Sequence, residues 1–117
     1  MVVFRYNQPS WAVGRYAPDG AEFIKTIGAV SGEILKLRHN GRTVLACQPG
    51  GSCQVLGTAL TRDSHGRPLP LPPFEDGEVI PSGMVYVRSN RVPNSYDSRY
   101  IGLVPARDIR GTVTAFL

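Results

Sequence analysis

The chain has 117 residues, with thirteen Lys plus Arg against nine Asp plus Glu and a net charge of +4. That length holds one domain with one modest core, and the sequence reads as a single domain over residues 1–117. The cationic residues are scattered from Arg5 to Arg110 with no block of like sign, which argues against nucleic acid as a partner, since such proteins concentrate charge in a stripe or patch. No apolar run approaches the length of a membrane span, and the first residues lack the charged, apolar and small-residue succession of a secretory signal.

Thirteen Gly and ten Pro call for many turns, and long segments of helical period are missing. Short apolar or alternating runs at 2–6, 22–30, 33–39, 43–47, 53–60, 84–89, 100–104 and 111–117 predict strands. The expected fold class is therefore all-β, a partly open barrel of short strands. His39-Asn40-Gly41-Arg42 predicts a hairpin turn joining 33–39 to 42–47, because Asn-Gly accepts positive φ at both central positions. Between 64 and 77 the reading "SHGRPLPLPPFEDG" denies a ladder its donors and predicts a Pro-rich excursion or surface arm.

"CQPGGSC" sets Cys47 and Cys53 around a Pro-Gly-Gly turn that can bring their Cα atoms within disulfide range. A bridge there places the chain in an oxidising compartment. Two other readings stay open: zinc, with His39 or His65 as further ligands, although the spacing fits no recognised finger, and two ordinary free thiols.

Lys25 lies in "EFIKTIGAVSGE" between Phe23, Ile24 and Ile27. A lysine in such a run commonly faces solvent or snorkels to the edge. The sharper reading is that apolar burial lowers its pKa from about 10.4 toward the range of a general base. Near the C-terminus, "SNRVPNSYDSRYIGLVP" packs Asn90, Arg91, Asn94, Ser95, Asp97, Ser98 and Arg99 into one stretch, more hydrogen-bonding capacity than a surface loop needs. These groups either satisfy one another in a tight turn or hold something else in place.

"FIKTIGAVSGE" resembles the lysine box of type I signal peptidases, and "NRVPNSYDSRYIGLVP" is similar to their last box, with Asn90, Arg91, Asn94, Ser95, Asp97, Ser98, Arg99, Gly102, Val104 and Pro105 in register. The Gly66–Pro70 segment, the cysteine pair and "DSRYIG" look most like the conjugative-transfer (TraF-type) branch. Departures are Thr26 for the usual Arg, Ser31 for Pro, Glu33 for Asp and Ser89 for the Asp before Asn90.

The resemblance implies a Ser/Lys peptidase needing neither metal nor cofactor, with Lys25 as general base, Ser95 orienting its amine, and Asp97 and Arg99 as a supporting ion pair. Phe23 and Ile24 would contact an extended signal or pilin-precursor peptide laid beside the edges of 22–25 and 3–6. The nucleophilic serine of the family stands just ahead of the strand that 2–6 resembles, behind a membrane anchor. The resemblance thus puts serine and anchor ahead of Met1, makes 1–117 a core shortened at its N-terminus and inactive alone, and places it on the periplasmic or extracytoplasmic face of a bacterial inner membrane. Ser10, in "NQPSWAVGRY", lacks the following Pro and reads as a loop serine; Ser31, Ser52, Ser64 and Ser82 fit less well. Two further readings are a catalytically silent binding module of the same fold in a conjugation or secretion apparatus, and a repressor-type self-cleaving Ser/Lys peptidase.

Overall fold

The computed structural model describes residues 1–89 and 95–112. Its strands are β1 (Val2–Arg5), β2 (Glu22–Ala29), β3 (Ile34–Arg38), β4 (Thr43–Cys47), β5 (Cys53–Thr58), β6 (Glu78–Val79), β7 (Met84–Arg88), β8 (Val104–Pro105) and β9 (Ile109–Thr112). They form a five-stranded sheet in the order β8-β7-β2-β1-β9 and a four-stranded sheet in the order β5-β4-β3-β6, antiparallel at every pairing. One single-turn helix, α1 (Ser98–Ile101), and 3-10 turns at Ser10–Ala12 and Ala106–Asp108 complete the elements among the described residues. The fold is all-β with a curled, half-barrel sheet, as the succession of short apolar runs predicts.

Period-2 alternation assigns the faces. In β1, Val2 and Phe4 are buried while Val3 and Arg5 are not, so one side of the larger sheet carries Val2, Phe4, Val85, Val87 and Val104. A second cluster joins Leu35, Val44, Ala46, Leu56 and Ile80 of the smaller-sheet region to Ala29 and Tyr86. The expected hairpin is present: Arg38 pairs with Thr43, and His39, Asn40 and Gly41 all take positive φ. Asn and Gly at the centre accept that conformation at low cost.

Three expectations need correction. The run 100–104 is predicted as strand, but it starts inside α1, and strand resumes only at Val104–Pro105. Asp97 is the reason: its side chain accepts from Arg99 N at the helix N-cap, a local bond that outweighs the apolar pattern behind it. Second, the last strand begins earlier than 111, at Ile109, and runs through Thr112; the remainder of the predicted run, 113–117, lies outside the described residues. Third, β6 has no counterpart in the sequence pattern, because two residues are too few to show a period. The Pro-rich stretch carries no regular strand, only an isolated bridge between Arg62 and Pro68. Its end is not a surface arm: Pro72 and Phe74 are buried, with the Phe74 ring 5.8 Å from that of Tyr86.

Cys47 and Cys53 are disulfide-bonded, facing each other across the β4–β5 ladder. This overturns the zinc and free-thiol readings, since both sulfurs are consumed. Closing so short a loop restricts the unfolded chain and contributes about 2 kcal/mol on the chain-entropy account. Reduction is therefore expected to lower the urea midpoint by a corresponding amount, and intact mass with alkylation before and after reduction checks the bond. Two thiols alkylated without reductant in oxidatively folded protein would contradict it.

Candidate active site

Lys25 projects from β2 on the same face as Phe23. Across the ladder, Val2 stands opposite Lys25 and Phe4 opposite Phe23, and both partners are buried, so the lysine stem runs over the inner side of the sheet. Lys25 is accordingly half-buried, not solvent-facing. Burial holds its ammonium below the ordinary lysine range; the Asp97 charge opposes that shift, and the Arg99 charge adds to it.

The Ser95–Arg99 segment, whose Asp97 and Arg99 charges act on Lys25, is built around a buried ion pair. Arg99 Nε lies 2.9 Å from Asp97 Oδ1, with the two side chains only 4% and 3% exposed. Arg99 Nη2 donates to Asp97 Oδ2 at 3.2 Å and to the Ser95 carbonyl at 2.8 Å, while Nη1 donates to the Thr58 carbonyl of β5 at 2.8 Å. A planar guanidinium suits this bidentate role. Ser98 Oγ accepts from Val87 N of β7 at 2.8 Å. The turn is thereby fastened to both sheets. Gly57 permits the approach, since a Cβ at that position would stand 3.1 Å from Arg99 Cδ.

Ser95 Oγ donates to Asp97 Oδ2 at 3.2 Å. The structure thus gathers Ser95 and Arg99 around the Asp97 carboxylate, whose charge is felt at Lys25, and the Lys25 amine makes no hydrogen bond among the described residues. Asn90, Arg91 and Asn94, the other members of the same box, lie outside the described residues. Ser10 is exposed at the start of a 3-10 turn.

Phe23 and Ile24 point to opposite faces of β2, as neighbours on a strand must. Phe23 stacks on Tyr6 with ring centroids 4.5 Å apart, whereas Ile24 is 54% exposed. The two cannot line one pocket, but both flank the strand edge. Among the described residues, β7 pairs with β2 only from Thr26 onward, and no described strand lies along the side of Glu22–Lys25 away from β1. The expected second edge, at 3–6, is not open over Val3 and Phe4, because β1 has β2 on one side and β9 on the other.

Thr26, Ser31, Glu33 and Ser89 mark the departures from the lysine and final boxes. At the turn after β2 the replacement is self-consistent: Glu33 Oε1 accepts from Val30 N at 3.1 Å and Glu33 N donates to the Val30 carbonyl at 3.2 Å, so the longer carboxylate closes the turn.

Residues 1–117 match the family model described as signal peptidase, peptidase S26. The chain belongs to the signal peptidase family. No match was found among curated proteins or among solved structures. Membership gives this signal peptidase core a serine-peptidase activity in the general sense and peptides as substrates. Among its described residues no helix is long and apolar enough to cross a membrane.

Sequence reasoning missed the aromatic surround of this site. Tyr96, between Ser95 and Asp97, shares a 2.6 Å hydroxyl–hydroxyl hydrogen bond with Tyr6 and packs its ring near those of Phe23, Tyr16, Trp11 and Tyr100. The available signal was composition: Trp11, Tyr16 and Tyr96 all fall in otherwise polar stretches, where large rings are unexpected unless they pack on something.

Proposed function

We propose that this chain is the catalytic core of a membrane-anchored signal peptidase of the conjugative-transfer type, which cleaves signal or pilin-precursor peptides with a Ser/Lys dyad. Lys25 is the general base, and the serine is carried on the segment that leads into β1. The observation that carries this reading is the half-buried Lys25, its proton affinity lowered chiefly by burial, standing directly opposite Val2. Chain entering β1 at that end arrives beside the amine.

In this mechanism the serine Oγ attacks the scissile carbonyl carbon while Lys25 Nζ takes its proton, and backbone donors hold the oxyanion. The proton passes to the leaving amine as the C–N bond breaks, and water, activated in turn by Lys25, releases the acyl group from the serine. Ser95, whose hydroxyl donates to Asp97, has lone pairs left to orient the amine in the reacting complex. An extended peptide adds along the Glu22–Lys25 edge, its backbone hydrogen-bonded to β2, with Phe23 and Ile24 on either face. The disulfide accords with an oxidising, periplasmic or extracytoplasmic setting.

The test is processing by the parent protein in lipid, with its N-terminal segment present. Cleavage of a pilin-precursor or signal-peptide substrate after a small side chain, read by mass of both products, is the expected result, and Ser10→Ala leaves it intact. Peptide binding without cleavage would favour the silent module. Cleavage lost in Ser10→Ala would move the nucleophile into the chain described here.

A further inference from the structure

Beside the Ser95–Arg99 turn lies a cavity of about 170 Å³ walled by Tyr16, Leu60, Leu69, Tyr96 and Tyr100, with Asp63 in its lining. We infer that this cavity is a subsite for one large uncharged side chain, apolar or aromatic, of the peptide substrate. The inference rests on the peptidase reading and adds to it a specificity determinant away from the scissile bond.

The chemistry of the walls selects the occupant. Every tyrosine hydroxyl already has a partner: Tyr16 Oη donates to Asp63 Oδ2 at 2.7 Å, Tyr96 Oη is bonded to Tyr6 Oη at 2.6 Å, and Tyr100 Oη accepts from Leu60 N at 3.0 Å. What the rings offer the cavity is carbon surface. Asp63 is likewise engaged, by Arg67 Nε at 2.8 Å and by the backbone N–H groups of His65 and Arg67. A cationic side chain finds the ring faces competed for, with the Arg67 guanidinium 5.4 Å from the Tyr16 centroid and that of Arg99 5.3 Å from the Tyr100 centroid. An anionic one meets the Asp63 carboxylate in the lining, whose like charge opposes it. The volume is well below the roughly 300–1,000 Å³ of sites for drug-sized ligands, and it suits a single side chain.

Position supplies the link to the substrate. Tyr96 stands between Ser95 and Asp97 in the chain, and its ring lies 6.1 Å from that of Phe23, on the strand beside which the peptide is proposed to lie. At the rim, Tyr16 and Leu60 are 44% and 43% exposed, apolar surface that an inserted side chain would cover. The rim is also held in shape before any ligand arrives, because Arg15 Nη1 donates to the Pro68 carbonyl at 3.2 Å and Tyr16 is tied to Asp63.

The probes are three capped tripeptides, Ac-Ala-Phe-Ala-NH2 and its Lys and Ala counterparts, titrated into the 1–117 chain and followed by NMR. The Phe peptide is expected to move the Leu60 and Leu69 methyl and Tyr96 ring signals, and the other two are not. Leu69→Trp, which fills the cavity, and independently Ser64→Trp at its exposed lip, are each expected to weaken that response about tenfold or more, the scale of one buried apolar side chain. Lys25→Ala is expected to retain it, so a failure of the peptidase reading leaves this result legible on its own. An equal response to the Ala or Lys peptide, no movement of the cavity signals, or a Phe response untouched by both Trp variants would overturn the subsite.

Discussion

Under the proposed Ser/Lys mechanism, Lys25→Ala is expected to abolish precursor processing by the active enzyme while leaving the β-fold intact. Loss of a general base costs about two to four orders of magnitude in rate, and in the proposed dyad the same group both activates the serine and protonates the leaving amine. Lys25→Arg is expected to be as inactive, since guanidinium does not give up its proton in the working range. Processing is read by product mass over time, and folding by circular dichroism. With Lys25 as the proposed base, the rate is expected to rise with pH through the lowered Lys25 pKa, because only the neutral amine accepts the serine proton. Full processing by folded Lys25→Ala enzyme would refute the dyad and leave the silent binding module as the better account.

Breaking the Asp97–Arg99 pair is expected to act through stability. With both side chains almost fully buried, Arg99→Met strands the Asp97 carboxylate and Asp97→Asn strands the guanidinium, and loss of one partner of such a pair costs about 3–5 kcal/mol. The Asn variant falls at the lower end, since its amide oxygen still accepts from Arg99. The double variant Asp97→Asn/Arg99→Met is expected to lose less than the sum of the two, because it leaves no unpaired charge. Urea unfolding of the four proteins gives these differences directly. Single variants each within about 1 kcal/mol of the parent would show the pair to be solvated and the turn loosely held.

Much of this fold is legible in the sequence because its apolar runs are short and separated by turn residues: the run at 2–6 announces β1, and Asn40-Gly41 announces the hairpin. Where a local hydrogen bond competes with pattern, pattern misleads, as at Tyr100, which is apolar enough for a strand yet helical because Asp97 caps the turn before it. Phe74 illustrates a different limit, since the prolines before it predict a loop correctly but say nothing of where the loop lays its one large ring. For the site, the resemblance to the family's boxes is what singles out Lys25 and the Ser95–Arg99 turn, and the structure adds that Ser95 and Arg99 share the Asp97 carboxylate. The edge geometry was not readable. Whether Val3 or Glu22 presents a free edge depends on β9 and β7, which arrive from the far end of the chain.

The most direct test of the central claim is the titration of the Lys25 amine itself, followed through the side-chain Cε methylene signals of specifically labelled lysine. The chain holds two lysines, Lys25 and Lys36, so one substitution assigns both signals. The midpoint for Lys25 is expected below the ordinary value of about 10.4. Because the unfolded chain binds that proton more tightly than the folded one, stability should rise with pH between the two values and be reduced by the charged amine below them. Asp97→Asn should lower the midpoint further, since the Asp97 charge opposes the shift, and Arg99→Met should raise it. A Lys25 midpoint at or above about 10.4, unmoved by either substitution, would contradict a neutral, buried general base at this position.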